Sequence, residues 1–233
     1  MDTLGERLAA VDAAVADAAR DAGRDPAEIT RIVVTKFHPP ELVRALHVLG
    51  VAAVGENRQQ ELTAKIDAVG TELPGLHWHF IGQAQTNKAR ALRQAASIVP
   101  LTVHSVDRAR LVRSLDAAAG PGDPIVDVLL QVNLTDDPGR GGVAPDGAVE
   151  LAEQVLTAPS LRLRGVMAVA PLDEPPASAF SRLRTVSDGV RTVAPDAVWI
   201  SAGMTGDFAE AIAVGATHLR IGTAITGPRP AGG

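Results

Sequence analysis

The 233-residue chain contains no cysteine and no tyrosine. The first absence excludes disulfides and thiolate metal sites. The second excludes a phenolic acid or base. Lysine is scarce: of 22 basic residues, only Lys36, Lys65 and Lys88 are lysines, and the rest are arginines. The net charge is −5, so the basic surplus expected of a general nucleic-acid binder is missing. No stretch approaches the roughly 18 apolar residues of a membrane span. The N-terminus, "MDTLGERLAAVDAAVADAAR", is charged and alanine-rich and lacks the apolar core of a signal peptide. These absences make the cytoplasm the expected location.

What is present is an ordinary globular composition, 46% hydrophobic and 21% charged. The length suits one large domain and falls in the range of α/β barrels. Apolar β-branched runs alternate with Ala/Leu/Arg stretches of helical period. A leading helix is expected over 3–22, with Leu4, Leu8, Val11 and Val15 on one stripe. Eight strand candidates follow: about 30–35, 51–55, 76–82, 97–106, 124–134, 161–170, 197–203 and 217–222. Helical sequence follows each of them, and Asp107 is placed to cap one of these helices. Nearly continuous apolar strands joined by helices imply a parallel sheet. Eight such units predict an α/β fold, a (β/α)8 barrel with an extra N-terminal helix. It forms one domain over 1–233, with a frayed tail at 228–233.

In a barrel the residues just past each strand meet on the C-terminal face. Lys36 is the only lysine among them. Its amine can lose a proton and attack a carbonyl, which a guanidinium cannot do. A crowded apolar mouth is expected around it, where desolvation makes an amine more nucleophilic. The bland alternative is a solvated strand-end lysine. In "SAGMTGDFAEAIAVG", Gly203 and Gly206 allow close backbone approach, and Ser201 and Thr205 offer hydroxyls just before a helix N-terminus. Gly222 and Thr223 repeat the arrangement in "LRIGTAITG". Either loop could be a plain helix cap, with Asp207 or Thr205 capping the first. Two adjacent loops favour phosphate, and an amine beside a phosphate cradle suits a phosphorylated aldehyde. Arg220, two residues before Gly222, points to the same side. Near a pyridine nitrogen it would disfavour protonation there; its alternative is a salt bridge. His77 and His79 share one strand face and His104 ends another strand. Without an acidic cluster they read as interior packing rather than a metal site. Glu56 reads as a surface or network carboxylate, and Arg162 with Arg164 as one solvated strand face.

Seven segments, "VVTKFHP", "GENRQQEL", "HWHFIGQAQTNKA", "HSVD", "LLQVNL", "LRLRGVMAVAP" and "SAGMTGDFAEAIAVGATHLRIGTAITG", occur in this order across residues 3–227. Together they resemble the pyridoxal phosphate homeostasis proteins. That family consists of single-domain barrels similar to the N-terminal domain of alanine racemase. The resemblance implies pyridoxal 5′-phosphate as cofactor and Lys36 as its Schiff-base lysine. It implies that Ser201, the Gly203-Met204-Thr205 turn, Gly222 and Thr223 hold the phosphate. Arg220 would face the pyridine nitrogen, with Asn57 close to the cofactor. The chain departs from the pattern in having "TKFHP" where many relatives have "SKTKP", and Thr205 where serine is common. Two-sided racemisation needs a tyrosine from a second domain, and this chain has none. The expectation is therefore a cofactor-binding protein serving intracellular pyridoxal phosphate and amino-acid homeostasis, without established catalysis. The alternative is a slow enzyme acting on amino acids with Lys36 as sole base. Further rivals are a cofactor-free Schiff-base aldolase and a metal-dependent hydrolase. The expected partners are the cofactor and the apo-enzymes that use it, with no nucleic acid or membrane, and the expected state is a monomer.

Overall fold

The computed structural model describes residues 3–229; the expected fraying of 228–233 lies mostly outside them. The chain opens with helix α1 (Leu4–Asp21), started by a capping box. Thr3 Oγ1 accepts from the Glu6 N–H, and the Glu6 carboxylate accepts from the Thr3 N–H. Strands and helices then alternate: β1 (Thr30–Val34), α2 (Pro40–Val48), β2 (Ala53–Glu56), α3 (Gln59–Val69), β3 (His77–Phe80), α4 (Ala89–Ile98), β4 (Leu101–Val106), α5 (Ala109–Ala117). The second half repeats the scheme: β5 (Val126–Gln131), α6 (Ala148–Leu156), β6 (Leu161–Met167), α7 (Pro176–Arg191), β7 (Trp199–Ser201), α8 (Phe208–Ala213), β8 (His218–Ile221), α9 (Thr223–Thr226). The strands pair in sequence order, all parallel, and β8 closes on β1. The eightfold barrel with a leading helix is therefore as the sequence predicts.

The strands are shorter than the apolar runs. Ser97 and Ile98 belong to the last turn of α4 and not to β4. Asp107 does not cap α5. Arg108 takes the cap position, and the Asp107 carboxylate bonds the Arg108 guanidinium instead. That guanidinium in turn donates to Ala84 O, so charge pairing prevails over capping.

Alternation along each strand sorts residues into two rows. The outward row is apolar. Val33, Val54, Trp78, Val103, Val128, Val166 and Leu219 are all buried in the cluster that includes Val43, Leu62, Leu92, Leu111, Leu151, Leu183 and Ile212 of the helices. This shell is the hydrophobic core and the main source of stability. The inward row is mostly polar: His77, His79, Thr102, His104, Asp127, Arg162, Ser201, His218 and Arg220. All of these except His77 and Arg162 are buried. Polar groups survive there because they bond one another. Arg162 and Arg164 belong at the barrel floor and not to a uniformly solvated face. Arg162 makes a two-point pair with Asp127, and Arg164 stacks 4.3 Å from the Trp199 ring. Gly165 beside them has φ 150°, and a Cβ there would lie 1.9 Å from Trp199 O, so only glycine fits this bulge.

Candidate functional site

Strands β1 and β8 are neighbours, with Val33 opposite Ile221. A Cβ on Gly222 would sit 3.4 Å from Val34 Cβ. Lys36, two residues beyond Val34, and the Gly222–Thr223 loop therefore share one sector of the C-terminal rim. β7 pairs with β8 through Ser201 and His218 and delivers the 202–207 turn to the same sector. The expected crowding around Lys36 is not found: its side chain is exposed. The chain turns away from the barrel at Phe37, a non-glycine residue at φ 67°. Its N–H donates to Glu61 Oε2 at 2.9 Å, which ties down this left-handed conformation. Lys36, Arg58 and Arg229 all stand over the Phe37 ring, at 5.8, 5.1 and 4.2 Å from its centre.

Directly below Lys36 lies a buried network. Thr35 Oγ1 donates to Glu56 Oε1 at 2.5 Å, and Lys65 Nζ donates to Thr35 O at 2.7 Å and to Glu56 Oε1. Glu56 is thus a network carboxylate and has no surface exposure. Burial raises its pKa, while Lys65 and Thr35 pull it back down.

Each glycine loop leaves N–H groups free at its exposed edge, and the first also spends one on its own closure. Gly203 has φ 91°, and a Cβ there would press on Ala211, Phe208 and Leu219 at 2.8–3.1 Å. The Met204 N–H is taken by Asp207 Oδ1 at 2.6 Å. Asp207 thus turns back to close the loop and does not cap α8 with its side chain. Among the described residues the N–H groups of Thr205, Gly206, Gly222 and Thr223 have no hydrogen-bond acceptor. Thr205, Gly206 and Thr223 are exposed, and a Cβ on Gly206 would meet open space. α8 is only six residues long, so its dipole adds little. Anion binding here rests on the free N–H groups themselves.

Ser201 and Arg220 sit deeper. Ser201 is fully buried, and its hydroxyl accepts from Arg220 Nη1 at 2.7 Å and meets His104 Nδ1 at 3.0 Å. It therefore stands beneath the loops and not among them. Arg220 also donates to Ser201 O and Ala168 O, both at 2.8 Å. The expected alternative of a salt bridge is absent: among the described residues no carboxylate lies within ion-pair reach of Arg220. Burial depresses its pKa to about 10, opposed only by the more distant Asp207.

Three acceptors near the rim are left unpartnered: Glu56 Oε2 at the end of β2, Asn57 Oδ1 just past it and Gln131 Oε1 at the end of β5. Asn57 is held by a close backbone approach, because a Cβ on Gly82 would lie 1.9 Å from Asn57 O. An exposed amine, four unused N–H groups, a buried unneutralised cation and an orphaned amide oxygen fit a small phosphorylated carbonyl compound. Sequence reasoning missed Lys65, Gln131 and the part played by His104. The signal was the polar alternation of "HWH" and "THLR" within runs otherwise apolar. Among the described residues no three His, Asp or Glu side chains are grouped to hold a metal. A surface cleft of about 760 Å³ lies between the loops after β5 and β6 and is lined by none of these site residues. Among the described residues no helix is long and apolar enough to cross a membrane.

Comparison with known proteins shows the family and the fold. A profile of the alanine racemase N-terminal domain matches residues 8–230. The pyridoxal phosphate homeostasis protein of Pseudomonas aeruginosa is 40% identical over 239 residues, which is 100% of this chain and 98% of the relative. The protein of the same name from Mycobacterium tuberculosis is 40% identical over 243 residues, covering 97% and 93%. PipY of Synechococcus elongatus, solved with PLP bound, superposes with a TM-score of 0.81 at 32% identity, covering 96% of this chain and 99% of PipY.

Proposed function

The chain belongs to the pyridoxal phosphate homeostasis protein family, and we propose that it binds pyridoxal 5′-phosphate reversibly on Lys36. It thereby contributes to intracellular cofactor and amino-acid homeostasis without turning over a substrate. One observation carries this reading: the amine after β1 and the free N–H groups after β7 and β8 share one sector of the rim, above a buried arginine that no carboxylate neutralises.

When bound, the cofactor supplies an aldehyde carbon with which an amine condenses to a Schiff base, releasing water. The roles of this chain's residues follow from their chemistry. Lys36 provides the amine. Thr205, Gly206, Gly222 and Thr223 offer N–H groups, and Thr205 and Thr223 also hydroxyls, to the phosphate. Gly203 and Met204 shape the turn that presents them. Arg220 would set a fixed cation toward the ring nitrogen, and Ser201 braces that guanidinium from below. Asn57 would offer its unpartnered oxygen to the ring. A cation at that nitrogen disfavours its protonation and weakens the electron sink that enzymes with this cofactor use. The chain has no tyrosine to act as an opposing base. Both features support holding over turnover. The exposure of Lys36 supports exchange with solvent and with apo-enzymes, and we place the protein in the cytoplasm as a monomeric single domain.

Absorption spectra with and without pyridoxal phosphate test the reading. Lys36→Ala should abolish the Schiff-base band, and Arg220→Ala should keep the band but shift its pH midpoint. If both variants behave like the parent, the site is elsewhere. Light scattering during gel filtration should give a mass near 24.1 kDa.

A further inference from the structure

Four histidines occupy the barrel interior beneath Arg220, and the hydrogen bonds among them have a determinable direction. Ser201 Oγ accepts from Arg220 Nη1, and a guanidinium can only donate. The Ser201 hydroxyl is buried, so its own proton needs an acceptor. The acceptor in reach is His104 Nδ1, at 3.0 Å. His104 must then carry its proton on Nε2, which lies 2.9 Å from His79 Nδ1 and donates to it. His79 in turn is protonated on Nε2. The chain of donation runs one way, from Arg220 through Ser201 and His104 to His79. Bonds aligned in this manner polarise one another and strengthen the grip on the first donor.

We propose that His104, fixed as its Nε2–H tautomer, is a positioning residue that acts through the Ser201 hydroxyl to hold the Arg220 guanidinium at the ring nitrogen of the bound cofactor. This rests on the Arg220 reading above. The charged and titratable groups that face His104 favour its neutral state: His77 and His79 from β3, and His218 and Arg220 from β8. Asp127 of β5 acts on His77 and Arg164 of β6 on His218. Burial first, then Arg220, His218 and His77, hold its pKa well below the usual histidine range. A protonated His104 would leave the Ser201 hydroxyl without an acceptor and set a second cation beside Arg220.

Two measurements decide it. Histidine ¹⁵N spectra of the unmodified, cofactor-free protein should show His104 with a bare Nδ1 and a protonated Nε2; a protonated Nδ1 overturns the proposal. Cofactor titration then compares His104→Leu, His104→Asn and Arg220→Ala. His104→Leu should weaken binding about tenfold, the loss of the hydrogen bond that orients the Ser201 hydroxyl beneath Arg220. It should also move the pH midpoint of the absorption band in the same direction as Arg220→Ala. His104→Asn, which keeps an acceptor for Ser201, should restore both. If Arg220→Ala moves the midpoint and His104→Leu does not, the positioning role fails. If Arg220→Ala itself moves nothing, the Arg220 reading has failed instead. Should His104→Leu not fold, Ser201→Ala serves in its place with the same expected shift.

Discussion

Of the three buried cations among the described residues, Lys65, Arg93 and Arg220, the first and the last have opposite surroundings. Lys65 is 4% exposed and meets a carboxylate, Glu56, that is itself fully buried. Arg220 is 5% exposed and meets only a hydroxyl and two carbonyls. A buried charge is costly unless it is paired. Lys65 is neutralised where it stands, so its field is spent within the protein and its effect is structural. Arg220 keeps its charge uncompensated a short way below the rim. The difference separates a cation that holds the end of β1 in place from one whose charge remains available to a ligand.

The contrast breaks most visibly at the amines. Lys36→Ala should lose the cofactor band completely, while Lys65→Met should retain it at any temperature where the protein stays folded. A band that survives Lys36→Ala but vanishes in Lys65→Met would reverse the roles assigned to the two lysines. Stability comes next. Lys65→Met strands the Glu56 carboxylate and should cost about 3–5 kcal/mol in urea denaturation. Adding Glu56→Leu should recover most of that loss, since replacing both partners removes the stranded charge. Arg220→Met strands no charge, only acceptors, and should cost about 1–3 kcal/mol. A larger loss than for Lys65→Met would show that Arg220 is the more structural of the two.

Acid sharpens the comparison from the side of the neutral neighbours. Burial, aided by His77 and Arg164, pushes the His218 pKa from 6.5 down to about 3. The unfolded chain therefore binds the extra proton first. The stabilisation from a neutral His218 is complete above pH 6.5 and is lost progressively as pH falls toward 3. Denaturation midpoints should drop across that window, and His218→Phe should flatten the drop. An unchanged slope in the variant would mean that His218 is not held neutral. The smallest effect is expected where both charges are solvated. Arg20 pairs with Asp17 at 2.5 Å with both side chains largely exposed, so Arg20→Ala should stay within about 0.5 kcal/mol of the parent.

The barrel was legible because its outward rows are apolar and its helices carry apolar stripes of the right period. Strand ends were less so: the run from Ser97 to Val106 spans the end of a helix, a turn and a strand, and Ile98, Val99 and Leu101 carry apolar residues across all three. Lys36 stood out through the scarcity of lysine, and Gly203 and Gly222 through their place after strands, but the exposure of Lys36 did not. Ser201 read as a phosphate ligand, and a hydroxyl before a glycine turn gave no sign that an arginine on the next strand also donates to it.

Local periodicity and composition alone determined the fold and the set of chemical groups that reach the rim, since both are properties of neighbours along the chain. The tertiary structure decided which partner each polar group receives. Glu56 and Lys65 are nine residues apart, Ser201 and Arg220 nineteen, and His104 and Ser201 ninety-seven. Those pairings depend on strand register and barrel closure, which no local stretch of sequence encodes.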